Sequence, residues 1–116
     1  MYGEKFNLGM DEEILKINSP KEHCKGPYIV VFKSPEGRWV IVGLDWDNSP
    51  TLGIRWFWDK TGNPSSRGNA TWFILPKALH NTILNGLPLD MSFRNKINRF
   101  LTGEISGNEL KKGGAK

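Results

Sequence analysis

The segment Thr51-Leu52-Gly53-Ile54-Arg55-Trp56-Phe57-Trp58 constrains this chain more than any other, because large side chains occupy both odd and even positions. A strand with one wet face alternates apolar and polar residues, whereas one that is aromatic or β-branched on both faces needs both of them occupied. Two architectures satisfy that need. Either the sheet is covered on both sides, or its second face meets a ligand or a partner. A polar, Gly-rich stretch, residues 59–69, follows, and then a second apolar run containing Trp72.

The rest of the chain supplies neighbours for this strand. Tyr28 to Lys33 reads as a strand, Ser34-Pro35-Glu36-Gly37 as a turn with Pro at its second position, and Arg38 to Trp46 as the returning strand. Asp47-Asn48-Ser49-Pro50 supplies another turn before Thr51 to Trp58, and Ala70 to Leu75 makes a fourth strand. Pro76 then opens a helix to about Asn85, with Leu79, Ile83 and Leu87 on one side. Asp90 is an N-cap for a second helix that carries Phe93, Ile97, Phe100 and Leu101 on one stripe and ends at Thr102-Gly103. Ahead of the strands, Asp11 to Ile17 reads as a short helix with three acidic residues at its start.

The expected fold is therefore α+β: an antiparallel four-stranded sheet, a meander, followed by two helices packed on one face. Residues 1–106 form the single domain with a weakly structured N-terminal segment, and the polar residues 107–116 are expected to be a flexible C-terminal tail. Period-two reading places Leu52, Ile54, Trp56 and Trp58 on one face of the third strand and Gly53, Arg55 and Phe57 on the other. In the second strand Val40, Val42, Leu44 and Trp46 lie opposite Trp39, Ile41, Gly43 and Asp45. Two helices cover one face only, so the other must meet the N-terminal segment, a second subunit or a ligand.

Composition narrows the function classes. A chain of 116 residues that is 38% hydrophobic can bury one adequate core and no second one. The net charge of +4 comes from the second part: residues 1–37 hold five basic and six acidic side chains, residues 38–116 eleven and six. A single cysteine, Cys24, excludes an intrachain disulfide. No run approaches the roughly 18 apolar residues of a membrane helix, so a cytoplasmic protein without membrane contact is expected.

No constellation of nucleophile, base and orienter emerges. His23 and Cys24 are adjacent and point opposite ways along an extended chain, His80 is distant in sequence, and one Cys with two separated His residues makes no zinc site. Asp45, Asp47 and Asp59 can collect a divalent cation for phosphodiester hydrolysis, although Asp in turns more often bonds its own backbone. Gly62 to Gly68 lacks the lysine and the following helix of a phosphate loop. Arg94, Lys96 and Arg99 make a basic outer face on the last helix, a pattern common to solvated helices.

The strongest binding surface in the sequence is the aromatic sheet face with its loop, through Arg55, Trp56, Trp58, Lys60, Arg67 and Trp72. Flat rings beside guanidinium groups suit single-stranded nucleic acid, and uncovered aromatic residues suit a symmetric homodimer. The reading is a small noncatalytic interaction protein without a cofactor, using that face and the 59–69 loop for self-association or a regulatory contact. Single-stranded nucleic-acid binding and a metal-dependent nuclease are the alternatives.

Overall fold

The computed structural model describes residues 11–57 and 62–114. Helix α1 (Asp11–Ile14) precedes three strands, β1 (Cys24–Lys33), β2 (Trp39–Trp46) and β3 (Ser49–Trp56). A small hairpin follows, β4 (Ser65–Ser66) with β5 (Asn69–Ala70), and then the two-residue strand β6 (Phe73–Ile74). A 3-10 turn at Lys77–Leu79 leads into helices α2 (His80–Gly86), α3 (Met91–Leu101) and α4 (Gly107–Gly114). The main sheet is antiparallel in the order β1-β2-β3-β6, as the sequence predicts.

Turn chemistry sets the register. Gly37 N–H donates to the Ser34 carbonyl at 2.8 Å, and the Ser34 hydroxyl oxygen accepts from the backbone of Arg38 and Trp39, which closes the β1–β2 turn around Pro35. Between β2 and β3 only Asp47 and Asn48 turn the chain, with φ of 52° and 67°. Both values are left-handed, the geometry that matches the twist of a two-residue hairpin and that Asp and Asn tolerate best. Ile41 consequently faces Ile54 and Trp39 faces Trp56.

One side of the sheet is covered by α2, α3 and α4. Val31, Ile41 and Leu52 meet Leu84, Ile97, Phe100, Leu101 and Leu110 in one buried cluster. Asp90 caps α3, accepting from Ser92 N–H at 3.2 Å, and Gly103 at φ 84° ends it, with Glu104 N–H bonded back to the Arg99 carbonyl at 2.8 Å.

The other side is covered too. Ile14, Cys24, Val40, Val42, Leu44 and Trp72 form a second buried cluster, with Leu15 and Ile17 packed against it. Of the candidates named from sequence for this face, the N-terminal segment supplies the cover. Trp72 lies directly over Gly53, where a Cβ would sit 3.2 Å from the Trp72 Cβ.

Three expectations change. The fourth strand is short, because Asn69 and Ala70 pair with Ser65 and Ser66 and leave only Phe73 and Ile74 to join β3. The helix expected from Pro76 begins as a 3-10 turn, whose tighter winding shifts the buried stripe to His80 and Leu84 and leaves Leu79 45% exposed. The polar tail expected from residue 107 is instead α4, with Leu110 completely buried among the residues of the first cluster.

The sheet edges differ. β1 is long, contains Pro27, and breaks register twice, between Lys25 and Ile29 and between Val30 and Phe32. β6 stops after two residues, just short of Pro76.

Candidate interaction surface

Four of the six residues singled out from sequence lie in the described part, and they do not share one surface. Trp58 and Lys60 fall outside the described residues, as does Asp59. Arg55, expected on a binding surface, is instead only 3% exposed. Its guanidinium donates to the Pro64 carbonyl and, at 3.2 Å, to the Thr71 carbonyl, and it stands 5.2 Å over the Phe57 ring. Burial lowers its pKa, yet an arginine in protein stays charged. Arg55 therefore clamps both ends of the β4–β5 hairpin to the sheet.

Trp72 is likewise interior, at 5% exposure, with its indole N–H donating to the Ile17 carbonyl at 2.7 Å. The N-terminal segment occupies the face it points to.

Trp56 remains accessible, at 43% exposure. It sits on the helix-covered side of the sheet, where Ile54 faces Phe73 across the β3–β6 pair, so Trp56 and Phe73 are diagonal neighbours on one face. Phe73 is 47% exposed. Sequence reasoning missed Phe73 because it placed one unbroken strand from Ala70 to Leu75; strict alternation with Trp72 was the signal that separates the two rings. Asn63 bridges back to Trp56 by a pair of backbone bonds, 2.8 and 3.0 Å, which fixes the strand end beneath the indole.

Arg67 lies elsewhere. It occupies the tip of the β4–β5 hairpin at φ 52°, followed by Gly68 at φ 82°. Its neighbours there belong to the turn before β1, and together they border a cleft of about 720 Å³.

Of the carboxylates named for a nuclease, the two among the described residues are each engaged by another side chain. Asp45 accepts from the Tyr28 hydroxyl at 2.8 Å, while Asp47 meets His23 Nδ1 at 2.5 Å across the hairpin turn. The Asp47 bond raises the pKa of His23, whose ring also stacks on Trp46 at 5.3 Å. Among the described residues no group of three His, Cys, Asp or Glu is placed to hold a metal ion.

His80 and Cys24 are far apart in role. His80 is 6% exposed and lines a groove of about 520 Å³ with Thr51, Lys77 and Trp46. The Thr51 hydroxyl donates to the Leu75 carbonyl at 3.1 Å, so His80 Nε2, 3.1 Å away, is the donor to that hydroxyl oxygen. Burial lowers the His80 pKa and keeps the ring neutral. Cys24 is buried and its thiol pKa is pushed up to about 11, chiefly by burial, which makes it a poor nucleophile.

The basic face of α3 is also partly committed inward. Arg94 donates to the carbonyls of Leu84 and Leu89 at 3.2 and 3.1 Å, and Arg99 pairs with Glu104 at 3.1 Å.

No helix of the described residues is long and apolar enough to cross a membrane. No family model matches the chain, and neither a curated protein nor a solved structure matches it.

Proposed function

We propose that this chain is a noncatalytic interaction protein that associates with a second copy of itself through the accessible aromatic pair Trp56 and Phe73. The observation that carries the reading is the exposure of two large rings, 43% and 47%, at diagonal positions on one face of adjoining strands. Aromatic residues are enriched at contacts between chains, and a two-fold contact brings each residue opposite its own surface.

Light scattering across a concentration series tests this. The wild-type chain is expected to approach twice 13.1 kDa as concentration rises, and the Trp56→Ser/Phe73→Ser variant to stay at 13.1 kDa with an unchanged far-ultraviolet spectrum. A wild-type chain that remains monomeric throughout overturns the reading. A monomer whose Trp56 fluorescence is instead quenched by a short single-stranded oligonucleotide would transfer the patch to base stacking.

A further inference from the structure

The cleft beside Arg67 has a different chemistry from the aromatic patch. Its walls are the turn Asn18 to His23 and the hairpin residues Ser66, Arg67 and Asn69, and Pro20 is its only apolar contributor. Its volume, about 720 Å³, is in the range of small-molecule sites, which run to roughly 1,000 Å³. A lining of amides, hydroxyls and charges excludes a greasy occupant and selects a polar one.

Two cations border it without an internal counter-ion. Neither Lys21 nor Arg67 takes part in an ion pair or side-chain hydrogen bond among the described residues, and both are exposed. His23 adds a ring that Asp47 holds by Nδ1, leaving Nε2 as its second polar atom. Both walls are held in place. His23 and Cys24 N–H bond the Pro20 carbonyl at 3.1 and 2.9 Å, and Arg55 grips the hairpin at Pro64 and Thr71 from below.

The residue at the hairpin tip is itself informative. Left-handed φ at the first turn position favours Asn, Asp or Gly, and the β2–β3 turn follows that preference with Asp47 and Asn48. Arg67 does not: a long cation stands at φ 52° where its residue type is disfavoured. Arg67 thereby stands at the hairpin tip, beside the cleft.

We infer that this cleft binds the phosphate group of a small hydroxyl-bearing ligand, with Arg67 and Lys21 meeting the phosphate. A phosphate monoester near neutral pH carries almost two negative charges, enough for both cations, whereas a carboxylate carries one. Glu22, which borders the same cleft, would repel a bare anion but would accept from a ligand hydroxyl placed beside it.

The experiment is a titration of the full chain, followed by calorimetry and amide chemical shifts, with inorganic phosphate, ribose 5-phosphate, ribose, and a short oligonucleotide lacking terminal phosphates. Saturable binding of ribose 5-phosphate is expected, with ribose alone at least about tenfold weaker. Arg67→Ala and Lys21→Ala should each weaken it several-fold, Arg67→Lys less, with thermal melting unaltered because both side chains are exposed. Preference for ribose 5-phosphate supports the inference, and preference for the oligonucleotide, whose diester phosphates carry one charge each, overturns it. Absence of saturable binding to every phosphate probe, or binding indifferent to both alanine variants, overturns the inference. The mass by light scattering of Arg67→Ala should equal that of the wild type, so this inference and the aromatic contact fail separately.

Discussion

The indole N–H of Trp72 donates to the backbone carbonyl of Ile17 at 2.7 Å, joining residues 55 apart in sequence. Through that bond and its packing over Gly53, one side chain ties the N-terminal segment to the second face of the sheet. Trp72→Ala is expected to lose about 3–5 kcal/mol, the usual cost of emptying a large aromatic site in a core. Trp72→Phe keeps a ring but leaves the Ile17 carbonyl without this donor, and should lose about 1–3 kcal/mol. Urea unfolding followed by circular dichroism measures both; an unaltered midpoint for Trp72→Ala would show that the second face is not packed.

Gly107 opens α4 against the Tyr28 ring, and a Cβ there would lie 2.1 Å from a ring carbon. Gly107→Ala must therefore displace the ring, with its hydroxyl bond to Asp45, or displace α4, with Leu110. A loss of about 1–3 kcal/mol is expected. In a Tyr28→Ala background the same change should become mild or favourable, since alanine is the better helix former. Equal cost in both backgrounds would rule out the ring contact as its cause.

His80 makes stability depend on pH. Its folded pKa lies below the ordinary 6.5, with burial the largest cause, so the unfolded chain takes up the proton first as pH falls. The contribution is complete above 6.5 and is lost progressively below it, down to the lowered folded value. His23 works the other way: its raised pKa favours the folded state below 6.5 and the benefit fades as pH rises, but its exposed side chain makes that contribution small. Unfolding midpoints measured between roughly pH 5 and 8 should fall on the acid side, and His80→Gln should flatten that fall while His23→Gln does not. The reverse ranking would mean that the exposed histidine governs the profile.

Cys24 should resist alkylation in the native protein. It is 4% exposed, and a thiol with a pKa of about 11 holds little thiolate at neutral pH. Iodoacetamide labelling followed by mass spectrometry should accelerate with urea in step with unfolding. Complete labelling within minutes in native buffer would contradict the burial.

What could be read from the sequence were the features with strict local periods. Alternation gave the correct faces of β2 and β3, and the spacing of Phe93, Ile97, Phe100 and Leu101 together with Asp90 gave α3. The cover on the second face could be named only as one of three candidates, because α1 is only four residues long and the bond that fixes the N-terminal segment joins Ile17 to a distant tryptophan. Arg55 looked like a surface cation; only tertiary structure shows the loop carbonyls it serves, although its place between Gly53 and Phe57 on an occupied face was a clue. α4 buries one leucine, too few for an apolar stripe, but Ser106 and Glu109 form a reciprocal cap, with bonds of 2.7 and 3.1 Å, that can be recognised from their spacing.

The two edges of the sheet decide what kind of assembly the protein can enter. An open, regular edge invites another chain to add a strand and then another, without end. Here one rim is two residues long and runs toward a proline, while the other is twice put out of step and carries a proline of its own. Backbone-to-backbone growth finds no straight rail on either side. In the self-association proposed above, copies would therefore meet through side chains, and a face-to-face meeting about a two-fold axis would use up its surface and close at two.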